Sequence, residues 1–271
     1  MAASLLLVGC GKMGSAMLEG WLASGVADRI VVVEPQSESP QGSGGADPRV
    51  IRCADAAGIP SGFRPDALVM AVKPQVMDAA VAPYAGSAGA GAVVLSIAAG
   101  KTIGYFEARL GAGAAVVRAM PNTPAAIGRG ITVACANAQV TPAQRVLCES
   151  LLAAVGEVGW VEDESLIDAV TGVSGSGPAY VFLLCEALAE AGRAAGLPED
   201  LATRLARATV SGAGELLHRS PESAGQLRRN VTSPNGTTQA ALDVLMAPSG
   251  LAALMTEAVA AATRRSRELA S

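Results

Sequence analysis

The chain holds a single histidine, His218, so a histidine-based metal site or a Ser/His catalytic pair has little to build on. Aromatic residues make up only 3% of a sequence that is 51% hydrophobic, so the core must come from alanine, valine and leucine. That composition favours closely approached helices and extensive contacts between subunits over a few large anchors. The five cysteines, Cys10, Cys53, Cys135, Cys148 and Cys185, are odd in number and scattered, with no C-x-x-C pair. They point to packing roles in a reducing cytoplasm. No apolar run approaches the length of a membrane span, and the first residues lack a basic flank and lead into glycines instead of a cleavage site. Neither a membrane protein nor a signal peptide is expected. Dense basic runs are also missing, apart from Arg264-Arg265-Ser266-Arg267, and the net charge is -4. Nucleic acid is therefore not an expected partner, and the basic tail reads as a solvated helix end.

What is present divides the chain in two. At 271 residues it suits two domains. Near-continuous apolar runs at 5–8, 30–34, 67–72, 92–97, 115–119 and 131–136 read as buried strands of the parallel kind. Helical patterns at 13–23, 75–84, 103–110 and 142–155 alternate with them, which is the signature of an α/β doubly wound sheet. Past residue 162 the strand signals stop, and helical patterns occupy 178–195, 198–217, 235–246 and 249–269. Pro178 and Pro198 fall near the first turns of two of them, where a missing N–H is harmless. The expected domains are 1–162, α/β, and 163–271, all helical. Residues 37–48, rich in Gly, Ser and Pro, read as a mobile surface loop.

Gly9-Cys10-Gly11-Lys12-Met13-Gly14 follows an expected strand and opens an expected helix, the context in which this spacing means dinucleotide binding. Gly9 permits the tight turn, Gly11 lets backbone approach a pyrophosphate, and Gly14 lets helix and strand pack closely. The next strand ends in Glu34, about twenty residues after Gly14. A carboxylate there accepts hydrogen bonds from the adenosine ribose and repels a 2'-phosphate, favouring NAD; a solvated strand end is the alternative. Ala71-Val72-Lys73-Pro74 and Ser96-Ile97-Ala98-Ala99-Gly100 end two further strands at the edge where open α/β sheets bind ligands. Lys73 either balances phosphate charge or is merely exposed. Asn122, in Met120-Pro121-Asn122-Thr123-Pro124, is either a polar contact in the same crevice or a turn former.

The second half offers two more segments. Gly172, Gly175 and Gly177 have the spacing of a helix-entry loop that, in many two-domain nicotinamide enzymes, precedes a lysine and an asparagine. Here the corresponding positions are Val181 and Cys185. Without that ammonium, the chemistry should need little acid catalysis. Asn230-Val231-Thr232-Ser233-Pro234-Asn235-Gly236-Thr237-Thr238 stands at the start of an expected helix, whose unpaired N–H groups suit a carboxylate. Thr237 and Thr238 add hydroxyls, either for a ligand or as ordinary caps. His218 reads as a partner for a helix C-terminus.

Taken in order, these motifs, with Asp168 to Tyr180 and Asn230 to Thr238 the most specific, resemble pyrroline-5-carboxylate reductases over nearly the whole chain. The resemblance implies an N-terminal Rossmann domain and a C-terminal helical dimerisation domain, in homodimers that assemble further, commonly into decamers. It implies reduction of 1-pyrroline-5-carboxylate to proline by NADPH or NADH. It assigns cofactor contacts to Val8, Gly9, Cys10, Gly11, Lys12 and Met13, to Ala71, Val72, Lys73 and Pro74, and to Asn230, and substrate contacts to Glu164, Thr237 and Thr238. Two departures stand out: Glu34, where NADPH-using members often carry Ser, Asn or Arg, and Asn235, in place of a commoner Gly. A protonated cyclic imine is already electrophilic, which agrees with the missing lysine. On this reading Thr238 hydrogen-bonds the ring nitrogen, backbone N–H groups from Ser233 through Gly236 to Thr238 hold the carboxylate, and residues 174–177 shape the pocket. A 3-hydroxyisobutyrate-type dehydrogenase, which needs the cation Val181 cannot supply, and a non-catalytic nicotinamide sensor are the rivals.

Overall fold

The computed structural model describes residues 3–35 and 47–270. Most of the loop expected at 37–48, Ser37 included, lies outside the described residues. The chain divides into two compact units, one of Met1–Gly175 with Ala262–Ser271 and the other of Ser176–Ala261.

The first unit is an eight-stranded sheet in the order β3-β2-β1-β4-β5-β6-β7-β8. Its strands are β1 Ala3–Val8, β2 Ala27–Val33, β3 Val50–Cys53, β4 Ala67–Met70, β5 Val93–Ser96, β6 Val116–Met120, β7 Gly130–Ala136 and β8 Gly156–Trp160. The helices are α1 Lys12–Ser24, α2 Met77–Val81, α3 Ala85–Gly89, α4 Ile103–Leu110, α5 Pro142–Ala153 and α6 Leu166–Val170. Alternate residues of β1 serve opposite faces. Leu5 and Leu7 join Met17, Leu18, Trp21, Leu151 and Leu152 of α1 and α5, while Leu6 and Val8 join Met77, Val81, Phe106 and Ile167 of α2, α4 and α6. Both faces are thus covered, which is why the strands read as near-continuous apolar runs. The Trp21 indole N–H, buried between α1 and α5, donates to the Leu151 carbonyl at 2.8 Å. An orphaned donor there would cost about 1–3 kcal/mol.

Three local expectations need correction. The 131–136 strand is β7, and it runs antiparallel to β6. The link between them, residues 121–129, is too short for the crossover a parallel pair requires. The helix expected at 75–84 is broken into a 3-10 turn Pro74–Val76, α2, and a second 3-10 turn Ala82–Tyr84. Pro83 lacks the N–H that an unbroken helix would use. The glycine-rich stretch expected to be a helix-entry loop is a π-helical turn, Thr171–Gly175, running straight on from α6. Here the Thr171 and Ser174 hydroxyls bond back to the carbonyls of Ile167 and Val170 at 2.8 and 3.1 Å.

The second unit is built from α7 Gly177–Ala194, α8 Glu199–Arg219, α9 Ala224–Asn230, α10 Thr237–Leu245 and most of α11 Leu251–Ala270. Its helices bury little in one chain: α7, α9 and α10 have no buried residue, and α8 buries only Ala202 and Ala206. Phe182 and Leu183 are each 63% exposed, with Leu184, Leu205, Val244 and Leu254 also exposed. An apolar surface of this extent belongs against another chain. We expect the denaturation midpoint to rise with protein concentration, each tenfold increase adding about 1.4 kcal/mol to a dimer's apparent stability. A concentration-independent midpoint, with light scattering at monomer mass, would contradict the coupling of folding to assembly.

Candidate functional site

The fingerprint loop sits where the sheet reverses direction. From β1 the chain winds out through β2 to β3, then returns to pair β4 on the other side of β1, so the C-terminal ends of β1 and β4 flank the switch point. Gly9, with φ +92°, turns the chain there, and a Cβ on it would lie 2.8 Å from the Ala71 backbone and the Val72 side chain. A Cβ on Gly14 would run into the Gly9 carbonyl. Gly11, in contrast, has nothing within 4 Å of the corresponding position, and as the N-cap of α1 it makes no side-chain capping bond. Two glycines are consumed by packing and the third faces open space at a helix N-terminus, an arrangement that fits a dinucleotide pyrophosphate.

Glu34 completes this loop. Its Oε2 accepts the Cys10 backbone N–H at 2.7 Å, which brings a carboxylate from the end of β2 to the fingerprint. Burial pushes the Cys10 thiol up in pKa, against the pull of the Arg52 guanidinium 4.0 Å from Sγ. A thiol so placed packs and does not react. Lys12 and Lys73 are exposed, Met13 is half-buried against the core, and Lys73 caps the turn begun by Pro74 without a side-chain bond.

At the end of β6, Asn122 Oδ1 accepts the Ile131 N–H at 3.0 Å, tying the β6–β7 connection together. The turn-former reading accounts for this residue. A Cβ on Gly175 would stand 2.7 Å from Met120 Cε, so the π turn rests against the same strand end.

Glu164 lies in the turn between β8 and α6. That turn is pinned by Asp163, whose carboxylate accepts both the N–H and the hydroxyl of Ser165 at 2.8 Å. Glu164 Oε1 takes two bonds of 2.8 Å, one from the Ile103 N–H at the start of α4 and one from Arg118 Nη1. Arg118, on β6, is only 4% exposed, whereas the Glu164 side chain is 28% exposed. Sequence reasoning passed over Arg118. The signal was there, since a guanidinium inside Val116-Val117-Arg118-Ala119-Met120 must find a buried partner.

In the second unit, Asn235 takes a left-handed backbone, φ +58°, within a turn closed by the Gly236 N–H on the Ser233 carbonyl at 3.0 Å. α10 then begins at Thr237 with Gly236 as its N-cap and no side-chain capping bond. The capping alternative for Thr237 and Thr238 therefore falls away, and the first-turn N–H groups of α10 have no side-chain acceptor at the cap. Asn230 ends α9 with its amide engaged at both atoms, donating to Glu222 at 2.9 Å and accepting from Gln226 at 2.7 Å. His218 is exposed in the last turn of α8.

A doubly wound sheet with a glycine fingerprint at its switch point, continued by a helical unit with an uncapped polar helix start, is the plan of a two-domain nicotinamide oxidoreductase. Comparison with known proteins narrows this. Residues 164–269 match the family model for pyrroline-5-carboxylate reductase dimerisation, and residues 4–100 match that for the coenzyme F420-dependent NADP oxidoreductases. A pyrroline-5-carboxylate reductase from Pseudomonas aeruginosa is 41% identical over 98% of this chain and 96% of its own length. One from Synechocystis is 47% identical over 75% of both. Among solved structures, the pyrroline-5-carboxylate reductase of Coxiella burnetii matches with TM-score 0.90 and 34% identity, covering all of both chains. That of Plasmodium falciparum, with NADP bound, matches with TM-score 0.79 and 26% identity over 99% of this chain and 98% of its own. The chain belongs to the pyrroline-5-carboxylate reductase family.

Because Asn122 is held by the β6–β7 turn, Asn122→Ala should cost about 1 kcal/mol in chemical denaturation at fixed protein concentration. Michaelis constants for cofactor and substrate should stay near wild type; a specific rise in either would assign Asn122 a ligand.

Proposed function

We propose that the chain reduces 1-pyrroline-5-carboxylate to proline, with a bound NADH or NADPH supplying hydride to the imine carbon. The observation that carries the reading is the start of α10, where Gly236 takes the N-cap position without spending a side chain and leaves Thr237 and Thr238 to a ligand. The substrate arrives as a ring iminium bearing a carboxylate. First-turn N–H groups of α10, from the turn that holds Ser233 and Gly236, bind the carboxylate, as helix N-termini bind anions. The iminium N–H donates to the Thr238 hydroxyl. Since the ring nitrogen already carries its proton, hydride addition yields the neutral amine directly, and no general acid is needed at position 181, where Val181 stands. Glu164 contacts the substrate and Asn230 the cofactor.

The fit of the fingerprint supports the dinucleotide. Val8, Gly9, Cys10, Gly11, Lys12, Met13 and Gly14 would carry its pyrophosphate, Ala71, Val72, Lys73 and Pro74 the strand end beside it, and Glu34 the adenosine ribose. The working partners are the small imine, the dinucleotide and further copies of the chain, in dimers that build to a decamer. A cytoplasmic site of action suits five cysteines that are all free thiols. Among the described residues, no helix is long and apolar enough to cross a membrane.

The test is loss of dihydronicotinamide absorbance on adding the imine. With the Glu34 carboxylate at the fingerprint, NADH should serve at least as well as NADPH, and Glu34→Ser should shift the ratio of kcat/KM toward NADPH by about tenfold. Strong NADPH selectivity in the wild type would refute the role of Glu34.

Thr238→Ala should lower turnover with the imine by about tenfold or more while leaving NADH affinity and melting temperature unchanged. Thr238→Ser, which keeps the hydroxyl, should retain most activity. If the alanine variant instead melted early and turned over normally, Thr238 would be a structural residue and the assignment would fail.

A further inference from the structure

Arg118 is only 4% exposed, and the proposed reaction gives its guanidinium no direct role. It stands on β6, opposite Ser96 of β5 and Cys135 of β7. This is the sheet face lined by Val116, Phe106 and Ile167. A cation placed there is tolerated only with a close counter-charge. Glu164 supplies it through one oxygen: Nη1 of Arg118 and the N–H of Ile103 both donate to Oε1, each at 2.8 Å. The second donor lies at the N-terminus of α4, an eight-residue helix whose remaining cap is Thr102, the acceptor for the Tyr105 N–H at 3.1 Å. Two donors from different elements, both distant from Glu164 in sequence, thus fix the carboxylate in position and in rotation. Among the described residues Oε2 takes no hydrogen bond, and the side chain keeps 28% of its exposure.

We propose that Arg118 is a positioning residue for imine binding: it locks Glu164 by Oε1, so that Oε2 is the oxygen offered to the cationic, iminium end of the substrate. This rests on the reading of Glu164 as a substrate contact. The lock has two consequences. Rotation of the carboxylate is removed before the substrate arrives, so the ordering cost is met in folding and not in binding. The Arg118 charge also cancels that of Glu164 at longer range, so the anionic carboxylate of the same substrate is not repelled while the iminium, at short range, still meets an oxygen. An unpaired Glu164 would attract one end of a zwitterion and repel the other.

The experiment is steady-state kinetics with the imine and NADH, alongside NADH affinity by fluorescence titration and melting curves, for E164Q, R118K, R118M, the double variant R118M/E164Q and the apolar pair R118M/E164L. The pair is included because removing one partner of a buried ion pair can unfold a protein, whereas replacing both with apolar side chains usually does not. Each variant should raise the imine KM by about tenfold or more, with NADH affinity changed less than about twofold. R118M/E164Q should be no worse than the poorer single variant, because both remove one unit. A folded R118K or R118M with wild-type imine KM, beside an impaired E164Q, would overturn the positioning role and leave Glu164 standing as a substrate contact. Wild-type KM in E164Q would remove the Glu164 reading and the positioning role together. An apolar pair that melts normally and binds the imine normally would show the ion pair to be structural only.

Discussion

The first unit is organised around a contact that admits no side chain. The β1–α1 turn can lie against the end of β4 only because Gly9 has no Cβ to strike the Ala71 backbone, and α1 can leave that turn only because Gly14 has none to strike the Gly9 carbonyl. The two restrictions fix where the first helix starts and aim its N-terminus out of the switch point. What the first unit offers a dinucleotide lies around that aim: the open space over Gly11, the Cys10 N–H held by Glu34, and the small residues at the end of β4. Packing density, not a ligand contact, dictates two of the three glycines.

That constraint was legible in the sequence because it is local. Six residues in order specify strand, turn and helix, and the near-continuous apolar runs of β1, β2, β4, β5 and β6 specify a sheet covered on both faces. What could not be read lies at the margins of the sheet or depends on distant partners. β3 and β8 are edge strands whose residues are partly buried or exposed, so their apolar signal is weak, and Gly156-Glu157-Val158-Gly159-Trp160 carries two glycines that read as breaks. The direction of β7 was hidden because apolar content reports burial and not polarity of pairing. α9 is a short polar helix with nothing buried, so periodicity had nothing to mark. The π turn escaped because its glycines match a loop pattern, while the feature that shapes it, Met120 against Gly175, joins residues far apart in sequence.

The candidate site shows the same division. The glycine fingerprint and the Asn230 to Thr238 segment are contiguous, so their residues were found by inspection; what the structure adds is which alternatives fail. Asn122 is spent on the Ile131 N–H, and Thr237 and Thr238 are not caps because Gly236 occupies that position. The triad of Ile103, Arg118 and Glu164 draws on three separate segments, and no spacing rule connects them. Only the oddity of an arginine within an apolar strand pointed toward it.

The scarcity of aromatics ties assembly to chemistry. A helical unit made of alanine and leucine packs its helices closely but offers few large side chains to fill a core, and no residue of α7 or α10 is fully buried within one chain. The same α10 carries at its start the hydroxyls and N–H groups assigned to the substrate. The turn that presents them, Ser233 to Gly236, is closed by a single backbone bond and a left-handed Asn235. No residue of this helix is buried within one chain, and a hydroxyl that is to be held within a fraction of an ångström of a reacting ring needs a rigid support. On the proposed reading, contacts with another copy of the chain supply that support, and loss of assembly should reach the imine before it reaches the dinucleotide, whose loop is fixed within the first unit.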